Sequence, residues 1–342
     1  MMITMLVSIA FISGCGMASS SSGSKAAGNA SGSGKAQITL KAGLGSSLDG
    51  SSHGKGLQKF KELIEKESNG RITLQIFPDG QMGNDKSMME AMQMGTLDMS
   101  AVSTSPVSEF TKGFLVFDLP FLFTTEAEAD KVLDSPAGQK ILDSLKTVNL
   151  VGLTYWENGF RNLTNSKRPI NRVSDLQGLK IRTMQNPIML ETFKLWGANP
   201  TPMAFNEVFT ALEQKTIDGQ ENPNPLIFDA GFYEAQKYLT ISRHFYTPYV
   251  LLIGQKSMDK LSKEDQELIR KVAKETTAYE RQVNRDMTKD ALQKMKDKGI
   301  IVNELSPEAI QEFKDSSKAI YDKFAGEIGK DTMDSILAEL KK

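Results

Sequence analysis

One cysteine, Cys15, and two histidines, His53 and His244, occur in 342 residues. A lone cysteine cannot close an internal disulfide, so the fold must rest on a buried apolar core. With no cysteine pair, no HExxH and no His–Cys cluster, the usual zinc donor sets are missing, and neither a metal nor a cofactor is expected. Gly43 and Gly45 do not extend to a GxGxxG loop, and no GxxxxGK[ST] loop and no GxSxG elbow occurs. Lys and Arg number 41 against 42 Asp and Glu. That balance excludes the basic face of a nucleic-acid binder. No internal stop-transfer segment and no tandem repeat interrupts the chain. What remains is ordinary globular composition, 39% hydrophobic and 24% charged, at a length that suits two domains.

The first residues differ from the rest. Residues 5–12 are mostly apolar, too few for a membrane helix of about 20 residues, and read as the core of a secretory signal. Ile12-Ser13-Gly14-Cys15 follows and resembles a bacterial lipobox, with Cys15 the lipidated residue. No Lys or Arg precedes the apolar run, which a start codon assigned too far downstream accounts for. Residues 18–34 are almost entirely Ser, Gly and Ala, a flexible tether for a body held near a membrane.

Beyond the tether, strands and helices alternate, which predicts a parallel α/β lobe. Strands are expected at 37–42, 71–77 and 97–102. Helices are expected at 53–68, with Leu57, Phe60, Leu63 and Ile64 on one face, and at 85–94. Residues 114–123 are apolar around Pro120 and read as a buried extended run. Helical segments fill 126–145, and a strand at 148–156 leads into Asn158. Further helices are expected at 187–196 and 206–214. Residues 238–249 read as a strand pair or crossover, and 249–253 as a buried strand. From the N-cap Ser262, Leu268, Val272, Tyr279, Val283, Met287, Ala291 and Met295 recur at mostly helical spacing. They fit one long helix or two with a kink near Thr276-Thr277. Residues 306–340 are amphipathic and helical.

The stretch 158–225 gathers the chemistry. Side chains alternate along a strand, so in Leu179-Lys180-Ile181-Arg182 the apolar pair faces one side and Lys180 and Arg182 the other. Arg182 closes that strand, and ligand crevices of open α/β sheets lie at strand carboxyl ends. A guanidinium there matches a carboxylate with two parallel hydrogen bonds, which points to a small organic anion. Taken alone, an arginine in this position more often is solvated or pairs with a structural Asp or Glu.

The blocks GFRNLTNSKRPI (159–170), DLQGLKIR (175–182), GANPTPMAFNEVFTALEQ (197–214) and DGQENP (218–223) occur in this order. Upstream stand NGRITLQIFPDGQMGND (69–85) and GTLDM (95–99). Together the blocks resemble the solute-binding proteins of tripartite ATP-independent periplasmic (TRAP) transporters, DctP-like family. The resemblance implies an α/β, two-lobed periplasmic-binding-protein-like fold with a ligand cleft between lobes and a long helix spanning both. The implied division is signal 1–14, tether 15–36, lobe I at 37–158 plus 247–287, and lobe II at 159–246 plus 288–342.

By that resemblance Arg182 clamps the ligand carboxylate and Arg161 is a second ligand arginine. Asn222 bonds the ligand's polar groups, and Phe205 packs against it, with a core phenylalanine the equal reading. Gln185 and Asn186 follow Arg182 within reach. His53 and Asp85 stand where family members contact sugar-acid hydroxyls, although Asp85 suits a helix start on structural grounds and a lone histidine is often a surface residue. Trp156 is packing. The implied protein is a non-enzyme outside the cytoplasm, lipid-anchored, whose partners are an organic acid and the TRAP membrane subunits. YWENGFR (155–161) and KIRTMQNP (180–187) look most like members taking sugar acids such as hexuronates. C4-dicarboxylates and sialic acid are alternatives, as are an extracytoplasmic enzyme on sugar acids and a sensory module.

Overall fold

The computed structural model describes residues 37–342. The apolar leader, Cys15 and the tether lie outside the described residues. The chain order opens with β1 (Ile38–Leu44), α1 (Ser52–Glu67), β2 (Ile72–Phe77), α2 (Asp85–Met94), β3 (Met99–Ser103) and α3 (Thr104–Val107). It continues with α4 (Glu126–Leu133), α5 (Pro136–Asp143), β4 (Leu150–Asn165), β5 (Lys180–Thr183), α6 (Pro187–Leu195), β6 (Asn199–Pro202) and α7 (Val208–Glu213). Then come β7 (Gly219–Asn222), α8 (Asn224–Asp229), β8 (Tyr238–Gly254), α9 (Gln255–Asp259), α10 (Lys263–Asp297), β9 (Ile301–Glu304), α11 (Pro307–Ile328) and α12 (Lys330–Lys341).

Several helices begin where side chains satisfy the free amides of the first turn. Ser51 accepts from Gly54 N at α1, Asn84 from Ser87 N at α2 and Ser262 from Asp265 N at α10. Helix α10 is one unbroken helix of 35 residues, so no kink forms at Thr276-Thr277. It packs against α1, β4 and α8. The tail is two helices, because Gly329 at φ +92° breaks the run.

The strands make one nine-stranded sheet in the order β2-β1-β3-β8-β4-β7-β5-β6, with β9 beside β8. Strand β1 is parallel to β2 and β3, and β5 is parallel to β6 and β7. Between these two parallel ends run β4 and β8, long and antiparallel to each other. The sheet as a whole is therefore mixed: β1, β2 and β3 are parallel to one another, as the strand–helix alternation predicts, while β8 runs antiparallel to β3.

Two corrections concern these central strands. Residues 238–254 are a single strand and not a pair or crossover. Asn158 and Arg161 sit within β4 and not in a loop after it. The pairing of β4 with β8 slips between Glu157 and Gly159 and again between Arg161 and Leu163. Gly159 has φ +106°, a conformation open to glycine and strained for other residues. It lets the strand bulge and re-aim its side chains without ending. Opposite the slip at Glu157 and Gly159 stands Pro248, paired with Glu157, where a missing amide donor costs least.

Residues 112–118 form a 3₁₀ helix, which corrects the extended reading. Phe114, Leu115, Val116 and Phe117 are all buried, so burial has no alternation from which an extended run could be told. The tight local turns satisfy backbone groups without a neighbouring strand.

Apolar packing closes both ends. Leu57, Phe60 and Ile64 of α1 and Val272 of α10 bury against Leu40, Ala42 and Trp156. At the other end Ile181, Met189, Phe193, Trp196, Phe245 and Phe313 pack together. Full burial of each such side chain contributes roughly 1.5–3 kcal/mol, and this fixes where strand ends point.

Candidate functional site

A cleft of about 600 Å3, mouth included, opens between the two ends of the sheet. Gly45, Asp85 and Ser103 line it from the β1-β3 end, and Arg182, Met184 and Phe205 from the β5 end. Asn158 and Tyr249, from the central strands, line it as well.

Arg182 is 2% exposed. Its Nε and Nη2 donate to Met203 O at 3.1 and 2.7 Å. Its Nη1 has no partner among the described residues. Burial lowers its pKa to about 10, helped by nearby Arg161 and opposed by Glu221 and Asp85. It is still a cation at neutral pH. Nε and Nη2 thus hold the guanidinium in place, and Nη1 faces no acceptor among the described residues. An unpaired buried donor is costly, and a carboxylate supplies the acceptor it lacks.

Asp85 is the first residue of α2 and partly exposed in the cleft. Its Oδ2 accepts from Ser103 N at 3.3 Å. Burial raises its pKa to about 6, against the pull of that amide and of Arg182. Asn222 lines the cleft, but its amide is engaged: Nδ2 donates to Gln220 Oε1 at 2.6 Å, and Oδ1 accepts from Arg161 Nη2 at 3.0 Å. Phe205 lines the cleft half-buried, its ring 5.5 Å from that of Phe232. Gln185 lines it and is exposed.

Arg161, Asn186 and His53 are not among the lining residues. Arg161 is fully buried behind the cleft, gripped by Glu221 through Nε and Nη2. Its Nη1 is unpartnered. Burial alone would raise the Glu221 carboxyl, but Arg161 and a hydrogen bond from His244 overcome it and hold it at about 2. His244 Nε2 lies 3.4 Å from that carboxylate, and its Nδ1 pairs with Ser242 Oγ at 2.8 Å. Asn186 caps α6, accepting from Ile188 N and Met189 N, and donates to Asp118 at 2.8 Å. His53 stacks on the Tyr249 ring, the ring centroids 3.6 Å apart.

Residues 46–327 match bacterial extracellular solute-binding proteins, family 7. The chain belongs to this family. The 2,3-diketo-L-gulonate-binding periplasmic protein of Escherichia coli (strain K12) is 36% identical over 256 residues, 75% of this chain and 78% of that protein. A sugar acid binding protein from Advenella mimigardefordensis, solved with galactonate, superposes with a TM-score of 0.88 at 41% identity, covering 90% of this chain and 98% of that one. A TRAP periplasmic solute-binding protein from Polaromonas sp. JS666, solved with D-erythronate, gives 0.85 at 38% identity, covering 88% and 99%. These relatives are binding proteins. Among the described residues no helix is long and apolar enough to cross a membrane.

Sequence reasoning did not single out Tyr249, Ser103 or Glu221 for this solute-binding protein, nor Asn158 as a cleft residue in its own right. Asn158 Oδ1 is buried without a partner, an acceptor to match the donor of Arg182. Its signal was present, one residue before the bulge glycine. Tyr249 carried none, since it reads as one more apolar strand residue.

Under Tyr249 and His53 lies Glu280 of α10, fully buried. Its Oε2 accepts from Glu157 N at 2.8 Å, and its Oε1 is unpartnered. Burial raises its pKa to about 8, opposed by that amide and by Ser52. Burial lowers His53 to about 3. Although their atoms approach to 3.9 Å, both groups are neutral at pH 7, because desolvation outweighs a contact of that length. A carboxyl raised in the folded state keeps a proton that the unfolded chain releases. Stability therefore falls as pH rises from about 4.5 to about 8, by at most about 1.4 kcal/mol per pH unit for one group. Glu280→Gln is expected to flatten this fall by up to one proton's worth. Urea unfolding at several pH values reads it, and an unchanged slope would refute the neutral carboxyl.

Proposed function

We propose that this protein is the extracytoplasmic binding subunit of a TRAP transporter, that it captures a sugar acid such as a hexonate or hexuronate, and that it hands the ligand to the membrane subunits without catalysis. The observation that carries the reading is Arg182, a buried guanidinium on the cleft wall with Nη1 unpartnered. The ligand carboxylate takes that donor, and the sugar hydroxyls meet Asp85, Asn158 and Gln185. Phe205 covers an apolar face of the ligand. Arg161 backs the clamp as a second charge, and Asn222, held by Arg161, meets the ligand's polar groups. His53 supports Tyr249 from behind, and Asn186 holds the turn after Arg182.

We also propose that lobe I comprises 37–158 and 247–287, and lobe II 159–246 and 288–342. The crossings lie in β4, β8 and α10. A ligand touching both lobes favours the closed form, because only that form offers both sets of contacts. Cys15 would carry the lipid that keeps the body at the membrane.

A thermal-shift screen of the purified protein tests the reading. The panel holds hexuronates, aldonates, C4-dicarboxylates and sialic acid. A ligand at about 100 times its dissociation constant stabilises the fold by about 2.7 kcal/mol, and a sugar acid is expected to give the largest rise. No shift with any acid would refute carboxylate binding.

A further inference from the structure

The charged groups lining the cleft are Arg182, Asp85 and Lys86. Lys86 is not available in the same way as Arg182: its side chain is 45% exposed and its Nζ lies 2.7 Å from Glu109 Oε2. Arg161 is also near, but Glu221 matches its charge. One cation is left for one carboxylate.

The opposite wall carries Asp85. Its Oδ2 takes the Ser103 amide. Its Oδ1 has no hydrogen bond among the described residues and lies beside Gly45, 3.7 Å from where a Cβ on that glycine would stand. The start of α2 offers no vacancy for an anion, since Asn84 Oδ1 already accepts from Ser87 N at 3.0 Å and Asp85 itself occupies the first turn. This wall is an acceptor wall. A hydroxyl can donate to it. A second carboxylate on a ligand anchored at Arg182 meets a like charge with no cation to separate the two, and like-charge placement is an effective way to reject a competitor.

We propose that Asp85 determines specificity by rejecting dicarboxylates, so that the cleft accepts monocarboxylates whose far end carries hydroxyl donors. The inference rests on the carboxylate-binding reading above and deepens it. The burial that holds Asp85 above the ordinary carboxyl range, at about 6, leaves it ionised at pH 7.5, where the rejection operates.

Isothermal titration at pH 7.5 with galactonate and with succinate tests this on the parent, Asp85→Asn and Asp85→Ala. Asparagine keeps the shape and an acceptor for Ser103 N, and alanine checks that the result does not depend on the amide. The parent is expected to bind galactonate at least 100-fold more tightly than succinate. Both variants are expected to narrow that ratio at least tenfold, by weaker galactonate binding, stronger succinate binding or both. A parent that prefers succinate overturns the proposal, and so does a ratio that stays within twofold in both variants while Arg182→Ala abolishes binding. If no acid binds the parent, the carboxylate reading fails and this inference falls with it.

Discussion

Replacing Arg182 with alanine is expected to abolish ligand binding and leave the fold standing. Among the described residues its hydrogen bonds run only to Met203 O, so few native contacts are lost. The neighbouring Arg161 also gains relief from a like charge. Removing one partner of a desolvated charge pair costs roughly 2–5 kcal/mol, or roughly 30-fold to several thousand-fold in affinity. Arg182→Lys is expected to recover only part of this, because an ammonium is a point charge without the planar fork that lets one arm hold Met203 O while another meets the ligand. Titration calorimetry reads the affinity and a thermal melt reads the fold. Affinity within threefold of the parent in the alanine variant, with a normal melt, would remove Arg182 from the clamp.

Glu221→Ala acts on the opposite quantity, stability. The change leaves Arg161 fully buried with its charge uncompensated. The remaining acceptors, Glu221 O and Asn222 Oδ1, satisfy donors but carry no charge. Breaking a buried pair by removing one partner costs about 3–5 kcal/mol. Most of that loss is expected to return in the double variant Arg161→Met with Glu221→Leu, since apolar residues of similar volume often replace a buried pair at little cost. Denaturant unfolding distinguishes the outcomes. A loss under about 1 kcal/mol for Glu221→Ala would mean that water or another group reaches Arg161. The double variant should still bind ligand weakly if Arg161 only backs Arg182, and should fail to bind if Arg161 holds the ligand itself.

Much of this architecture was legible as pattern. The apolar spacing from Leu57 to Ile64 placed α1, the start at Asp85 placed α2, and the run behind Ser262 placed α10. Each is a local signal, a cap followed by a face, and local signals survive without knowledge of partners. Arg182 was legible for the same reason, as a charged residue ending a short apolar strand. What pattern missed was the pairing of distant strands. Nothing near Asn158 says that β4 continues through Gly159, because the continuation is decided by β8, some ninety residues on. The residues 114–117 misled because a segment buried on every side has no periodicity left to read.

The sequence by itself determined the family, the helix starts and the presence of an arginine fork at a strand end, since blocks, caps and strand termini are properties of neighbouring residues. Only the tertiary structure decided which groups share the cleft. Arg161 and Arg182 look equivalent as residues, yet one meets Glu221 and the other an open wall. Asp85 and Glu280 are both carboxyls, yet one faces the ligand space and the other is sealed beneath Tyr249 and His53. The reason is physical: a charge's role follows from its distance to other charges and from the water it has lost, and both are set by packing between segments far apart in the chain.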